Sequence, residues 1–260
     1  MITAGVDAGL MNTKIAVLKD GKVIARAAGA TGGGGRREAI EKIWAEALKA
    51  AGADPSDVSG VAATGIGRED VSFAGKTIVE SLAAARAARF LYPGATSVVD
   101  AGADQTRVVT LGEGKDITEV VLNQKCMAGL GLLLEVAADR LEMTLEEMSA
   151  LGPETRDPIP LNDGCPVFAE QGALELLNKG VPKKEVADAV TDVAVVRLLS
   201  ILNDKVRPGK DSTVLIGGLT KNAAVTERLK RCSGIDFLIP EAAEYGGALG
   251  AAVFAAEQNH

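Results

Sequence analysis

The sequence predicts an α/β protein of two duplicated subdomains, each a mixed sheet flanked by helices. Three observations predict this class. Short apolar runs bounded by turn residues alternate with longer segments whose apolar residues recur at helical spacing. The peptide Val-Asp-Ala-Gly occurs at residues 6–9 and again at 99–102. Each copy opens a predicted β-meander that is followed by helices, which indicates an internal duplication with a period of about 93 residues.

The first half begins with a three-stranded meander, because Asp20-Gly21 is a strong hairpin signal between its second and third strands. Helices follow where apolar residues recur at helical spacing and end at glycine or proline. Tyr92-Pro93-Gly94 closes this half, so we predict the first subdomain at residues 1–93. Its predicted elements are strands at 2–6, 14–18 and 22–27, a helix at 37–51, a strand at 58–64 and a helix at 77–90.

The second subdomain is predicted at residues 94–260. It repeats the meander and then adds helices, a late strand and a C-terminal helix that is able to pack back on the first subdomain. Its predicted strands lie at 96–100, 106–111, 117–122, 213–216 and 237–240. Its predicted helices lie at 130–140, 145–150, 167–178, 184–206, 222–232 and 245–257.

Composition and charge exclude several functions. The 260 residues carry a formal net charge of −7, and only 3% of them are aromatic. Nucleic-acid-binding surfaces are normally basic and single-strand binders need aromatic platforms, so we expect no nucleic-acid partner. No apolar stretch approaches about 20 residues and no signal peptide is recognisable, so we expect no membrane span and a cytoplasmic location.

Three cysteines and one histidine restrict the metal chemistry. An odd number of cysteines does not suggest a disulfide framework, and the terminal His260 cannot build a triad or a histidine-rich metal site. Cys126 and Cys165 each precede a predicted helix, where unpaired N–H groups and partial positive charge stabilise a thiolate or an iron–sulfur cluster. A cluster normally takes four thiolates, which a symmetric dimer would supply. Burial as small hydrophobic residues is the alternative for both, and Cys232, on a polar helix, is expected to be a structural residue without a functional role.

Two strand-to-turn motifs indicate a phosphate site. Asp7-Ala-Gly9 and Asp100-Ala-Gly102 each place an acid at a strand end, followed by glycine. The glycine lets backbone N–H groups approach a phosphate, and the carboxylate can hold Mg²⁺ or a water. One such turn is usually an ordinary turn, but two at the heads of duplicated meanders predict a triphosphate site. The residues predicted to contact the phosphates are Gly9, Asn12, Thr13, Lys14, Gly102 and Ala103.

Two later motifs are rich in glycine. Ile216-Gly-Gly-Leu-Thr-Lys-Asn222 predicts a strand, a turn and a helix N-terminus that accept an anion or a nucleotide, with a simple tight turn as the alternative. Tyr245-Gly-Gly-Ala-Leu-Gly-Ala-Ala252 carries small residues at helical spacing, a pattern that by itself favours close helix packing. The nucleotide-contacting residues predicted from both motifs are Gly217, Gly218, Asn222, Gly246 and Gly247.

In this order, the four motifs resemble those of the actin, Hsp70 and sugar-kinase superfamily of ATPases over nearly the whole chain. Three further segments are more specific: Ala-Thr-Gly-Ile-Gly-Arg at 63–68, Asn-Gln-Lys-Cys-Met-Ala-Gly-Leu-Gly at 123–131 and Cys-Pro-Val-Phe-Ala-Glu at 165–170. They resemble segments of the BadF/BadG/BcrA/BcrD ATPases, which are activators of 2-hydroxyacyl-CoA dehydratases and ATPase subunits of benzoyl-CoA reductase.

The resemblance implies an actin-like ATPase (ribonuclease H-like) fold with ATP and Mg²⁺ as ligands. It implies a dimer, with itself or a related subunit, that shares one [4Fe-4S] cluster held by Cys126 and Cys165 of each subunit. ATP binding and hydrolysis would change the angle between the helices that start at the cluster. An electron from ferredoxin or flavodoxin would then pass to a partner iron–sulfur reductase or dehydratase that acts on an acyl-CoA.

Catalytic roles follow from the same resemblance. Asp7 and Asp100 are expected to organise Mg²⁺ and water. Asp104 or Gln105 is expected to orient the attacking water, and both stay candidates because the second turn exchanges the acid and amide of the family pattern. Two other functions remain open, namely a small-molecule kinase of the same fold without a cluster and an actin-like scaffold protein. Both leave the two cysteines at predicted helix starts unexplained.

Overall fold

The computed structural model of the chain describes residues 1–32, 35–114, 117–123, 129–151, 158–202 and 205–258. The chain forms two compact units. The first unit comprises residues 1–98, 109–119 and 240–260, and the second comprises residues 99–108 and 120–239. The predicted subdomain boundary at residues 93 and 94 concerns the duplication in the sequence and stays a prediction.

Strands and helices succeed one another as an α/β protein requires. The strands are β1 (Ile2–Ala8), β2 (Asn12–Lys19), β3 (Lys22–Ala30), β4 (Val58–Thr64), β5 (Lys76–Thr77), β6 (Ser97–Ala101), β7 (Thr106–Leu111), β8 (Ile117–Leu122) and β9 (Thr213–Ile216). The helices are α1 (Arg36–Ala51), α2 (Glu80–Leu91), α3 (Leu130–Leu141), α4 (Leu145–Ser149), α5 (Pro166–Asn178), α6 (Lys183–Leu202), α7 (Ala223–Ser233) and α8 (Gly246–Glu257). In the part of the chain that the structure describes, no helix is both long and apolar enough to cross a membrane.

The sheet of the first unit is mixed, with the strand order β3-β2-β1-β4-β5. Strand β1 pairs antiparallel with β2 and parallel with β4. Helix α1 covers one face, because its Ile40, Ile43 and Ala47 recur at helical spacing and join Val6 in one buried cluster. Successive strand residues point to opposite faces, so Val6 on the α1 face puts Asp7 on the other face.

Small side chains pack the opposite face of this sheet. Ala62 of β4 forms a buried cluster with residues of α2 and α8, namely Ala83, Ala251 and Ala255, together with Ile78. The hydroxyl of Thr3 in β1 donates a hydrogen bond of 3.2 Å to the Ala252 carbonyl of α8. Such short side chains let α8 approach the strands closely, and this approach brings the N-terminus of α8 to the end of β1.

The second unit is organised around one buried helix. The second sheet has the order β8-β7-β6-β9, and residues of α3, α5 and α7 share a hydrophobic core with α6. Helix α6 is buried around most of its circumference, as expected for a helix that neighbours enclose. Its buried residues are Val186, Ala187, Asp188, Ala189, Val190, Thr191, Val193, Ala194, Val195, Arg197, Leu198, Ile201 and Leu202.

Several predicted elements were wrong at their boundaries or in type. Residues 205 and 206, predicted as the end of a helix, lie outside α6. The helix predicted from residue 77 begins at Glu80, because Thr77 pairs with Ala63 in β5. The strand predicted at 237–240 is only an isolated bridge between Val214 and Leu238. Pro240 lacks the N–H group that a longer ladder would need.

A buried ion pair ties α7 to α6. Arg228 of α7 is only 1% exposed and pairs with the buried Asp188 of α6. Its Nη1 also lies 3.5 Å from Oδ1 of Asp192, one turn further along α6. Burial raises the pKa of the Asp192 carboxyl above its usual range, and the positive charge of Arg228 opposes that shift. The position of α7 therefore depends on the buried Arg228 guanidinium, whose charge the carboxylates of Asp188 and Asp192 must compensate.

We expect Arg228→Met to lower the free energy of unfolding by about 3–5 kcal/mol, because it leaves the buried Asp188 carboxylate without its cation. Denaturant unfolding followed by circular dichroism measures the change. The double variant Arg228→Met/Asp188→Leu is the control and should recover much of the loss, since it leaves no uncompensated charge at this pair. A single variant as stable as the parent would contradict the role of the ion pair.

Candidate functional site

The first predicted phosphate turn brings an acid and a base together. Asp7 of β1 and Lys14 of β2 lie directly opposite each other in the antiparallel register. Lys14 Nζ is 3.9 Å from Asp7 Oδ2, longer than a hydrogen bond, and both side chains are partly exposed. The N–H of Gly9 donates to the Asn12 carbonyl at 3.2 Å and closes the turn between them.

The second predicted turn repeats this geometry. The N–H of Gly102 donates to the Gln105 carbonyl at 3.1 Å, as Gly9 does to Asn12. Asp100 Oδ2 accepts a hydrogen bond of 2.7 Å from Arg107, so the acid has a basic partner here too. Arg107 also donates to Oε1 of Gln105 at 3.0 Å. The structure thus brings Asp100, Gly102 and Gln105 together around Arg107.

Arg107 is a site residue that the sequence analysis missed. Its position follows that of Lys14 by the same interval of about 93 residues that separates Asp7 from Asp100. Applying the duplication to every residue of the first hairpin, instead of to its acid and glycine alone, would have identified it. The second acid–base pair is the tighter one, because a guanidinium reaches a carboxylate with a short charge-assisted hydrogen bond.

Thr13 shapes the first turn from inside. Its side chain is buried, and its hydroxyl lies 3.2 Å from that of Thr31. Thr31 in turn donates to the Gly9 carbonyl at 3.0 Å, so this pair supports the backbone of the turn. Asn12, at the tip, is exposed. In the second turn the buried Thr106 occupies the place of Thr13, and its hydroxyl has no partner among the described residues.

A glycine with positive φ supports each turn. Gly65 follows β4 with φ of +88°, and a Cβ there would lie 2.5 Å from the Ala8 carbonyl oxygen and 2.7 Å from Asp7 Oδ1. Gly217 follows β9 with φ of +101°, and a Cβ there would lie 2.7 Å from the Ala101 carbonyl carbon. Only glycine combines this backbone conformation with such close contacts. Gly217 was predicted, whereas Gly65 was recognised only as part of the Ala-Thr-Gly-Ile-Gly-Arg segment.

The N-terminus of α8 reaches the first turn. Gly246 begins α8 and is buried, and a Cβ at Gly247 would lie 3.0 Å from Asp7 Oδ2. The partial positive charge of a helix N-terminus therefore lies beside Asp7. Burial raises the pKa of Tyr245, the residue before this helix, and the neighbouring Glu244 raises it further.

The predicted nucleotide-accepting turn at residues 216–222 ends in a capped helix. Asn222 is the N-cap of α7, and its Oδ1 accepts a hydrogen bond of 3.0 Å from the Val225 N–H. Its buried Nδ2 has no partner among the residues that the structure describes. A Cβ at Gly218 would meet nothing within 4 Å. The turn therefore has open space at Gly218 and, at its end, a buried amide donor on Asn222.

The second turn also contacts the start of α3. The N–H of Leu132 donates to the Ala103 carbonyl at 3.3 Å. A Cβ at Gly131 would lie 2.8 Å from the Cα of Ala103, and one at Gly129 would meet the backbone of Asp104. Cys126, a few residues before this helix, lies outside the described residues, so its predicted place at a helix start stays a prediction.

Cys165 precedes the helix α5, as the sequence predicted, and is its N-cap residue; Pro166 is the first residue of the helix, one before the predicted start. The Cys165 side chain is half-buried. Oδ1 of Asn162 accepts hydrogen bonds from the N–H groups of Gly164 (2.9 Å) and Cys165 (3.0 Å), which makes the preceding turn tight. The carbonyl of Asp163 in this turn accepts a hydrogen bond of 2.6 Å from Nε of Arg197 on α6. Cys232, near the end of α7, is exposed.

Known proteins align with nearly the whole chain. It matches the BadF/BadG/BcrA/BcrD ATPase family over residues 4–255. It is 34% identical over 261 residues to the activator of lactoyl-CoA dehydratase from Anaerotignum propionicum, an alignment that covers 99% of this chain and 98% of that protein.

Two solved structures are similar along the full length. Component A of (R)-2-hydroxyglutaryl-CoA dehydratase from Acidaminococcus fermentans has a TM-score of 0.89 and 28% identity, covering 100% of this chain and 99% of that one. The activator of the 2-hydroxyisocaproyl-CoA dehydratase from Clostridium difficile, with bound ADPNP, has a TM-score of 0.90 and 25% identity, covering 100% and 96%. These matches confirm the actin-like fold class predicted from the sequence. With the family match spanning residues 4–255, the chain belongs to the BadF/BadG/BcrA/BcrD ATPase family.

Proposed function

We propose that this chain is an ATP-hydrolysing iron–sulfur protein that drives a low-potential electron into a partner acyl-CoA dehydratase. The observation that carries the proposal is the occurrence, in one member of this ATPase family, of two acid–base phosphate turns and a cysteine at a helix start. The relatives described above belong to dehydratases of lactoyl-, 2-hydroxyglutaryl- and 2-hydroxyisocaproyl-CoA, which all carry a 2-hydroxyacyl group. We therefore favour a 2-hydroxyacyl-CoA dehydratase over a benzoyl-CoA reductase as the partner. Ferredoxin or flavodoxin is the proposed electron donor, and the cytoplasm is the proposed location.

Asp7 and Asp100 are proposed to have different roles. Mg²⁺ prefers carboxylate oxygens and retained waters. Arg107 donates a hydrogen bond of 2.7 Å to Oδ2 of Asp100, whereas Asp7 lies between Lys14 and the N-terminus of α8 at the first turn. We assign Mg²⁺, bound directly or through water, to Asp7, and we assign to Asp100 the task of holding the second turn in shape. Lys14 and the N–H groups of the first turn would hold phosphate oxygens.

The attacking water is assigned to Asp104. Gln105 was the other candidate, but its Oε1 accepts a hydrogen bond from Arg107. Asp104 is half-buried, and its carboxylate can accept a proton or orient a water. The unpartnered Nδ2 of Asn222 is proposed to donate a hydrogen bond to the adenosine beside Gly217 and Gly218.

The surroundings of Cys165 fit a cluster ligand. Its thiol is half-buried at the N-terminus of α5, where partial positive charge stabilises a thiolate. Val167 and Phe168, which follow directly, are 63% and 58% exposed. Exposed apolar side chains next to a ligand suit a surface that a second subunit covers. Cys126 and Cys165 of two subunits would hold one [4Fe-4S] cluster, and when bound the cluster would supply one-electron transfer.

A contact within the second unit supports coupling between nucleotide and cysteines. The Ala103 carbonyl accepts the Leu132 N–H near the start of α3, and this helix follows the segment that carries Cys126. Any shift of the second turn on nucleotide binding or phosphate release would therefore move the start of α3. Such a shift would reach a proposed cluster ligand through a few residues of backbone.

Protein purified without oxygen is expected to contain about two iron and two sulfide ions per chain, since one cluster is shared by two subunits. Iron and acid-labile sulfide analysis with a visible spectrum measures this. Cys165→Ser and Cys126→Ser should each remove the cluster, whereas Cys232→Ser is the matched control and should keep it. A colourless protein that still binds ATP after anaerobic reconstitution would contradict the proposal, and sugar-dependent ATP turnover in it would identify a kinase instead.

Lys14→Met should weaken the binding of a non-hydrolysable ATP analogue by about 10-fold or more, because a charge-assisted hydrogen bond to phosphate is lost. Isothermal titration calorimetry with Mg²⁺ present measures the affinity. Lys19→Met, an exposed change on the same strand, is the control and should bind like the parent. Equal affinities in all three proteins would refute the role of Lys14.

Asn222→Ser separates the cap from the proposed adenosine contact. Serine is also a good N-cap, so the free energy of unfolding should stay within about 0.5 kcal/mol of the parent. The amide donor is lost, so nucleotide affinity should fall by about threefold to tenfold. Asn178→Ser, an exposed change at the end of α5, serves as the control. Unchanged affinity in Asn222→Ser would remove this residue from the site.

A further inference from the structure

We propose that Arg197 is a positioning residue for the Cys165 turn and that its buried positive charge stabilises the negative charge of the group that Cys165 ligates. The inference rests on the proposed function, because it takes that group to be an iron–sulfur cluster. It adds a residue of α6 that no motif in the sequence indicated.

Arg197 is an incompletely satisfied buried cation. Its side chain is 3% exposed, and Nε donates to the Asp163 carbonyl at 2.6 Å. Among the described residues, neither Nη1 nor Nη2 has a hydrogen-bond partner. Arginine is almost never fully buried unless it is paired, since a guanidinium taken out of water loses strong hydration. Two bare nitrogens on such a group therefore indicate a missing anion.

The missing anion is best supplied at Cys165. Asp163 stands two residues before Cys165, in the turn that Asn162 tightens with two hydrogen bonds. The backbone carbonyl that accepts the Arg197 hydrogen bond is therefore two residues from Cys165, within the same turn. The buried Arg228 on α7 offers a contrast, because carboxylates of α6 compensate its charge. Within the described part of the chain, no carboxylate forms an ion pair with Arg197.

A cluster held by four thiolates provides negative charge, and reduction adds one more unit. A fixed buried cation lowers the free energy of the reduced form more than that of the oxidised form, so Arg197 should raise the reduction potential. The hydrogen bond to Asp163 has a separate effect, because it fixes the turn that carries the ligand. The effect of the Arg197 charge on the reduction potential and its effect on the position of the Cys165 turn can therefore be tested by different variants.

Three variants of the full-length, cluster-bearing protein test the proposal. Arg197→Gln keeps an amide donor for the Asp163 carbonyl but removes the charge. Arg197→Lys keeps the charge but not the planar guanidinium. Arg140→Gln is the matched control, because it also removes one positive charge near α5. Arg140 differs from Arg197 in being exposed and in pairing with a carboxylate, that of Glu170. The readouts are the midpoint potential from an EPR-monitored titration, the rate of iron loss to a chelator, and the Tm.

For Arg197→Gln we expect the equilibrium between reduced and oxidised cluster to shift about tenfold toward the oxidised form, or about 59 mV for a one-electron couple. Arg140→Gln should leave the potential unchanged, because solvent screens its charge. Arg197→Lys should keep the potential of the parent and lose iron faster, because the hydrogen bond to Asp163 is weakened.

Several results would overturn the inference. An unchanged potential in Arg197→Gln with a lowered Tm would make Arg197 a purely structural residue. If Arg197→Gln does not fold, Arg197→Lys still tests both effects. A fall in its reduction potential would refute the charge effect. Unchanged iron retention would refute the positioning effect. A parent without iron would overturn the proposed function and this inference together, whereas a cluster-bearing parent with unresponsive variants would overturn this inference alone.

Discussion

The pairing register of β1 with β2 sets the distance between an acid and a base, and the rest of the first phosphate turn depends on it. Opposite residues of antiparallel strands lie about 4.5–5.5 Å apart at their Cα atoms, so Asp7 and Lys14 become neighbours once Gly9 closes the turn. A slip of β2 by one residue would send Lys14 to the other face of the sheet, away from Asp7. In the second copy of the motif, Asp100 and Arg107 occupy the positions of Asp7 and Lys14. There the two side chains are close enough for a short hydrogen bond.

The two copies of the motif are unequal, and this inequality is the basis of the separate roles proposed for Asp7 and Asp100. Lys14 lies 3.9 Å from the first acid, whereas Arg107 donates a hydrogen bond of 2.7 Å to the second one. In the first copy α1 lies between the meander and β4, whereas in the second copy helices α3 to α6 lie between the meander and β9. Those helices carry Cys165 at the start of α5, and α3 begins in contact with Ala103. The duplication thus contains two similar turns, and the contact of the second turn with the start of α3 is the basis of the proposed coupling.

Local and repeated features were predictable from the sequence, whereas contacts between distant residues were not. The meanders, the two Asp-Ala-Gly turns and the helix that starts after Cys165 follow from short-range patterns, and the structure contains them. Arg107 was missed because an acid–base pair across two strands depends on their register, which only the duplication could have supplied. Thr13 was expected at the phosphates, yet its hydroxyl faces Thr31, a residue from another strand end. Arg197 carries no local signal at all, since its significance comes from a turn far away in the sequence.

The central claim is that nucleotide and cysteines belong to one coupled device. It is tested most directly by the rate at which a chelator removes iron from the anaerobic protein, measured with Mg²⁺ plus ADP and with Mg²⁺ plus a non-hydrolysable ATP analogue. If the second turn moves α3 when the γ-phosphate is present, the two nucleotides must give clearly different rates of iron loss. Identical rates at saturating concentrations of both nucleotides would show that the phosphate turns and the cysteines act independently, and would contradict the account.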